Sequence, residues 1–276
     1  MSPIKTNNVS SELISQAARF IADADAILIT AGAGIGVDSG MPDFRGDNGF
    51  WNAYPIFKQQ GVANGGWFRR EPEKAWGFYG QRLKLYRETK PHQGFSILKK
   101  WCEQKADYFI FTTNVDGHFQ KAGFEHKHIY EAHGSIHHLQ CSEACSQEIW
   151  QVGERKFIVD DSMCLMNEMP LCLNSNHIAR PNILMFDDDY WLDNRSHRQW
   201  NNYKHWKQQL TSKNVVTIEI GAGKTVATAR RESQKMQGVT IRIDPNEHDA
   251  ESNTLVLAGR ALDVLTKIDN ITITAE

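Results

Sequence analysis

The sequence predicts an α/β protein: a Rossmann-like parallel sheet with helices on both faces, plus a smaller inserted domain. Three observations carry this expectation. Short apolar runs bounded by polar loops alternate with helical patterns, as strands buried on both faces do. The first run ends in a glycine cluster, "AGAGIG". Two stretches, residues 46–88 and 138–180, break the alternation; the first is rich in Trp, Phe and Gly, and the second holds four of the five cysteines.

Along the chain, Ser10 is placed to cap a helix with Glu12 in its first turn, and Leu13, Ile14, Ala17, Ala18, Ile21 and Ala22 recur at helical spacing. "DADAILITAGAG" then reads as a buried strand running into a loop. Residues 71–86, "EPEKAWGFYGQRLKLY", are helical with Trp76, Tyr79 and Leu83 on one face. Further strands are expected at "DYFIFTTN", "KHIYEAHG", "PNILMF", "NVVTIEIG" and "GVTIRIDP", with helices over residues 92–105 and 225–236. The Rossmann-like domain is therefore assigned residues 1–45, 89–137 and 181–276, and the inserted domain residues 46–88 and 138–180. Ligands of such sheets sit beyond the carboxyl ends of the strands, and nearly every unusual motif follows one of these runs.

Composition bounds the function. The 276 residues are 41% hydrophobic and 23% charged, an ordinary globular balance. A formal net charge of -2 argues against a general nucleic-acid or membrane-surface binder. The aromatic segment "YWLDNRSHRQWNNYKHW" is accordingly read as cover for the sheet rather than as a base-stacking surface. No signal-peptide pattern or membrane-length run is seen, so a cytoplasmic location is expected, and the odd, scattered set of cysteines suits a reducing compartment.

Gly32, Ala33, Gly34 and Gly36 follow the first strand and would let backbone approach a pyrophosphate. The order is not G-x-G-x-x-G, and no acidic residue stands about twenty residues on, so a structural turn is the alternative. "SGMPDFRG" continues with Asp43, Phe44 and Arg45: an acid, an aromatic ring and a fork-shaped cation suited to phosphate or ribose oxygens.

With "FTTNVDGHFQKAG", "YEAHGS", "ARPNILMF", "EIGAGKTV", "IRIDPNE" and "LAGRALDVL" in the same order, the chain resembles the sirtuin family of NAD-dependent protein deacylases over essentially its whole length. The resemblance implies that the Asp43–Phe44–Arg45 loop folds over NAD. It implies that Asn114 and Asp116 hold the nicotinamide end, with Thr113 where the family usually has glutamine, and that His133 is the general base. An imidazole titrating near neutrality suits that role, while His137 and His138 are expected to be structural. Gly221, Ala222 and Gly223 would approach the phosphates. Asp244 would take the ribose hydroxyls and favour NAD over NADP, an Asp-Pro turn being its alternative. Arg260 and Ala261 complete the expected cofactor set.

By the same resemblance, an acyl-lysine protein is the substrate, and nicotinamide and O-acyl-ADP-ribose are products. Tyr79 and Arg82 match a Tyr-x-x-Arg pattern for acidic acyl groups such as succinyl; a core tyrosine beside a solvated arginine is the alternative. Phe186 is kept at the substrate edge, but Asp187 and Asp188 stand where glycine and glutamate are usual. Family members carry a structural zinc on two cysteine pairs. Here Cys141, Cys145 and Cys172 align with three ligands and Ser175 with the fourth, so the last donor is expected from Cys164, with His177 the other candidate; without one the module is held by packing alone. NAD glycohydrolysis or protein ADP-ribosylation in the same pocket is the alternative activity, and a non-catalytic NAD or ADP-ribose sensor a third.

Overall fold

A computed structural model describes residues 9–42, 63–246 and 251–274. Helix α1, Ser11–Asp23, begins where Ser10 Oγ accepts the Leu13 N–H at 3.3 Å. Ile14, Ala17, Ala18 and Ile21 form its buried stripe, and the chain turns extended at Ala24. Strand β1, Ala26–Ala31, is buried at all six positions, as a strand covered on both faces must be.

β1 pairs in parallel with β2, Asp107–Thr112, on one side and β7, Val215–Ile220, on the other. With β3 (Ile129–Glu131), β8 (Val239–Ile243) and β9 (Thr254–Leu257), the sheet has the order β3-β2-β1-β7-β8-β9. The chain builds outward from β1 to β3, then returns to the other side of β1 at β7. Strand order reverses there, which opens a crevice between the carboxyl ends of β1 and β7.

Helices cover both faces. α1, α4 (Gln93–Glu103) and α8 (Ala261–Thr274) enclose Ile27, Ile29, Phe95, Trp101 and Leu265 on one face. On the other, α6 (Asn194–Gln208) and α7 (Thr228–Gln234) lie over Leu28 and Phe109 with Tyr203 and Trp206. Burying each such side chain contributes roughly 1.5–3 kcal/mol. The aromatic segment thus covers the sheet, as expected: Tyr203 lies 5.2 Å and Trp206 5.5 Å from Phe109, ring centre to ring centre.

A second, antiparallel sheet has the order β5-β4-β6, from Ile149–Gln151, Gly134–Cys141 and Ala179–Ile183. "PNILMF" therefore supplies not a strand of the parallel sheet but the edge strand β6 of this one, where Pro181 is tolerated. α2 (Trp67–Arg70) and α3 (Pro72–Glu88) pack beside it; Pro72 suits the first turn, whose N–H groups need no helical partner. Trp76 donates to the Ala179 carbonyl at 2.8 Å and stacks on Phe157 at 4.4 Å between ring centres.

Candidate active site

The loops after β1 and β7 touch at the crevice. Gly32 N–H donates to the Ile220 carbonyl at 3.0 Å and Gly34 N–H to the Gly221 carbonyl at 3.2 Å. A Cβ on Gly34 would sit 2.6 Å from Gly221 Cα, and Gly221 itself has φ +57. These glycines are needed first for each other: no side chain fits between the two loops. Gly223, by contrast, faces open space, while Ala222 is buried.

The first loop continues as a 3-10 turn, Ala33–Ser39, fixed from two directions. His92 binds the Ile35 carbonyl through Nε2 at 2.8 Å and accepts the Gly94 N–H on Nδ1 at 3.0 Å. Asp38 Oδ2 accepts the Leu262 N–H at 2.8 Å, and Arg260 stands 3.5 Å from Asp38 Oδ1. Asp43, Phe44 and Arg45 lie outside the described residues.

At the end of β2, Asn114 donates from Nδ2 to the Gly32 carbonyl at 3.0 Å while its N–H reaches Thr112 Oγ1 at 3.0 Å. Thr113 donates through N–H and Oγ1 to the Ala31 carbonyl. Asp116 is 7% exposed; its Oδ1 accepts the His118 N–H at 2.8 Å, and its carbonyl accepts from His137 Nε2 at 2.8 Å. Burial pushes the Asp116 carboxyl up to about 6, against the His118 N–H, which favours the anion; Glu131 also raises it, and Arg82 and Lys121 lower it.

His133 follows β3 and leads into β4 at Gly134, whose φ is +79 and whose Cβ would lie 2.1 Å from the Asn182 carbonyl. The ring is half-buried, and burial lowers its pKa below the ordinary 6.5, opposed by the nearby Thr113 carbonyl, which favours the protonated ring. The ring is therefore neutral at neutral pH, with a nitrogen available as a base. Asn114, Thr113 and His133 are linked through adjacent backbone carbonyls to the glycine contact.

On α3, Tyr79 is 1% exposed and burial pushes its phenol up to about 12. Arg82 is not solvated: it is 5% exposed, donates to Tyr86 Oη at 2.7 Å, and lies over the Tyr79 ring. Beyond β6, Phe186 is exposed, and its N–H donates to the Ala63 carbonyl at 2.8 Å. Asp187 occupies the left-handed region at φ +49, where glycine is favoured and Asp is among the tolerated residues. Asp188 adds no free charge, because it forms a fully buried two-pronged pair with Arg180 at 2.8 and 2.9 Å and accepts the Met185 N–H.

Cys141, Cys145 and His177 bring ligand atoms within 4.8 Å of one another, and Cys145 Sγ is 3.5 Å from Cys172 Sγ. Two sulfurs about 2.3 Å from a tetrahedral zinc stand roughly 3.8 Å apart, so this donor set fits the metal. Cys164 does not belong to it. Its backbone lies against Gly77 of α3, in the loop closed by the Val159–Leu165 bridge, and His177 takes its place. The Cys172 N–H donates to the His177 carbonyl at 2.8 Å, closing a turn that carries His177 back to the cysteines.

At the far side of the crevice, Asp244 Oδ1 accepts the Asn246 N–H at 2.9 Å, the turn that was its alternative role. Ala261 is buried at the start of α8.

Comparison with known proteins decides the family: the Sir2 family model matches residues 32–227, from the first glycine to just past the second glycine loop. This chain belongs to the Sir2 family. It is 32% identical over 167 residues to an NAD-dependent protein deacylase of Aquifex aeolicus, a match taking in 60% of this chain and 64% of that protein. It is 24% identical over 265 residues to NAD-dependent protein deacylase 2 of Pseudomonas aeruginosa, covering 92% and 95%. A solved Sir2 homologue in complex with NAD superimposes with TM-score 0.70 at 22% identity, covering 95% of this chain and 94% of that one.

In this Sir2 chain several supporting residues carry no motif signal. His137, Asp38 and His92 hold Asp116, the 3-10 turn and α8 together through backbone groups. Glu219 of β7 is 1% exposed, receives Arg242 Nε at 2.7 Å, and stands 3.3 Å from Arg230. The one charged residue in a mostly apolar strand, "VVTIEI", was the available sign of a buried ion pair there. Among the described residues no helix is long and apolar enough to cross a membrane.

Proposed function

We propose that this chain is an NAD-dependent protein-lysine deacylase. The observation that carries the proposal is that Asn114 is bonded to the first glycine loop at Gly32, with His133 beside the neighbouring Thr113 carbonyl and the buried Asp116 carboxyl two residues further along the same loop. The Aquifex and Pseudomonas relatives, both named NAD-dependent protein deacylases, support it. So does the cradle itself: loop amides and glycines at a strand-order reversal suit a dinucleotide's phosphates. Gly32, Ala33, Gly34, Gly221 to Gly223, Asp244, Arg260 and Ala261 would hold the cofactor, with Asp43, Phe44 and Arg45 continuing the first loop. NAD, when bound, supplies an electrophilic ribose carbon and nicotinamide as leaving group.

The chain's own residues then divide the work. Asn114, held at Gly32, orients its amide, and Asp116 supplies a buried carboxylate whose charge favours a developing cation. His133 accepts a proton on its imidazole, beside the Thr113 carbonyl. Its lowered pKa keeps it neutral, so the acid limb that it sets is expected below pH 6.5. We assign the acyl group to the α3 side, where buried Arg82 favours an acidic acyl chain such as succinyl. Residues 1–45, 89–137 and 181–276 are proposed to carry NAD, with the rest forming the smaller domain. One zinc is assigned to Cys141, Cys145, Cys172 and His177. Metal analysis should give one equivalent, falling in His177→Ala; less than a tenth of an equivalent in the parent protein refutes the assignment.

The deciding assay is nicotinamide release from NAD, with and without acetyl- and succinyl-lysine peptides. Release is expected only with peptide, with succinyl above acetyl, and to fall roughly 10²–10⁴-fold in His133→Ala. Release without peptide would instead assign NAD hydrolysis, and succinyl activity intact in Arg82→Ala would remove the acyl assignment.

A further inference from the structure

A second cleft, of about 610 Å³, lies outside the glycine crevice, beside α6 and the turn that precedes the edge strand β3. Three elements meet there. α6 contributes Arg195, Arg198 and Asn202, spaced three and four apart and so aligned on one face. The face of α6 bearing Ser196, Tyr203 and Trp206 is buried, so the cleft takes a separate polar stripe of the same helix. The 3-10 turn His126–His128 contributes Lys127, and the paired positions His138 of β4 and Gln151 of β5 supply the third wall.

The charges are unevenly matched. Arg195 is paired with Glu131, and Lys127 with Glu125 at the exposed rim. Arg198 is exposed and has no ion-pair partner among the described residues. Arg195 Nη1 and His138 Nδ1 are buried with no hydrogen-bond partner among the described residues, an arrangement that costs about 1–3 kcal/mol per group unless a partner arrives. Burial and Arg195 together hold His138 down at about 4, so it is neutral and keeps one N–H to give. The remaining lining is the His126 imidazole and the amides of Gln199, Asn201 and Asn202, with no phenyl or indole face on which a base would stack.

We propose that this cleft binds a small hydrophilic molecule carrying two or more phosphate groups, at a site separate from that for NAD. Guanidinium forks at Arg195 and Arg198 match phosphate oxygens, Lys127 adds a point charge, and the amides suit the hydroxyls of a polyol. The volume fits a ligand of that size. Nothing in this proposal depends on the deacylase assignment.

The test is calorimetric titration of inorganic tripolyphosphate, and separately fructose 1,6-bisphosphate, into the full chain saturated with ADP-ribose, so that the glycine crevice is already filled. At least one probe is expected to bind with one-to-one stoichiometry, tripolyphosphate alone if only the phosphates are read and the bisphosphate more tightly if the amides read hydroxyls. Arg198→Glu should weaken binding at least tenfold and leave ADP-ribose affinity unchanged. Lys267→Glu, the same charge change on distant α8, should weaken it less than twofold. Absence of binding by both probes, equal loss in the two variants, or tighter binding of a decaglutamate peptide than of either probe would overturn the proposal.

Discussion

Asp116→Asn isolates the cost of keeping a carboxylate at the reaction centre. A rise from the ordinary 3.8 to about 6 corresponds to about 3 kcal/mol of preference for the protonated form in the fold. The sign follows from proton binding. Below about pH 4 the group is protonated in both folded and unfolded chains and the penalty is absent. As pH rises through about 6 the unfolded chain has already released its proton, so this group's contribution to stability is progressively lost. Asparagine is neutral throughout and keeps an oxygen for the His118 N–H, which the aspartate now accepts at 2.8 Å. The variant should therefore match the parent below about pH 4 and exceed it at pH 8 by roughly 1–3 kcal/mol, close to a 1 M shift in urea midpoint. Nicotinamide release should meanwhile fall roughly 10²–10³-fold. Urea denaturation across this range, paired with the release assay, measures both. A variant less stable than the parent at pH 8, or a gap that does not change with pH, would refute the assignment of a buried, strained carboxylate.

Other substitutions probe the scaffold. Gly221→Ala places a methyl group 2.4 Å from Gly34 Cα at φ +57; a cost of roughly 1–3 kcal/mol and at least tenfold weaker ADP-ribose binding are expected, by thermal melting and calorimetry. Asp188→Asn strands the Arg180 guanidinium, which is 1% exposed, and should cost roughly 3–5 kcal/mol. A loss under about 1 kcal/mol, the scale of a surface pair, would show that the guanidinium finds another partner.

How much of this was legible in the sequence depended on whether the signal was local. The strands that bury both faces announce themselves as apolar runs, and Asn114, Asp116 and His133 sit at the ends of such runs, where a loop must face the crevice. "PNILMF" looked like another such run, yet Arg180 and Asn182 just before and within it are fully buried and Pro181 marks an edge strand; these polar residues were the sign of a different sheet. His177 rather than Cys164 joins the cysteines because a backbone hydrogen bond from Cys172 folds the turn between them, which spacing does not reveal. The Gly34–Gly221 contact was equally silent, since glycines read as room for a ligand are here also room for each other.

The placement of β1 has a consequence for biosynthesis. It emerges first among the strands but lies at the centre of the parallel sheet, and its partner β7 is made only after most of the chain. Until then one side of a fully buried, mostly apolar strand has no native neighbour, and helix α8, which Asp38 grips through Leu262, is later still. Such long-range closure is slow and leaves a nascent strand open to wrong partners. Expression at low temperature or with a chaperone that shields apolar segments should raise the soluble yield, because the hazard lies in the waiting time on the ribosome and not in the finished fold.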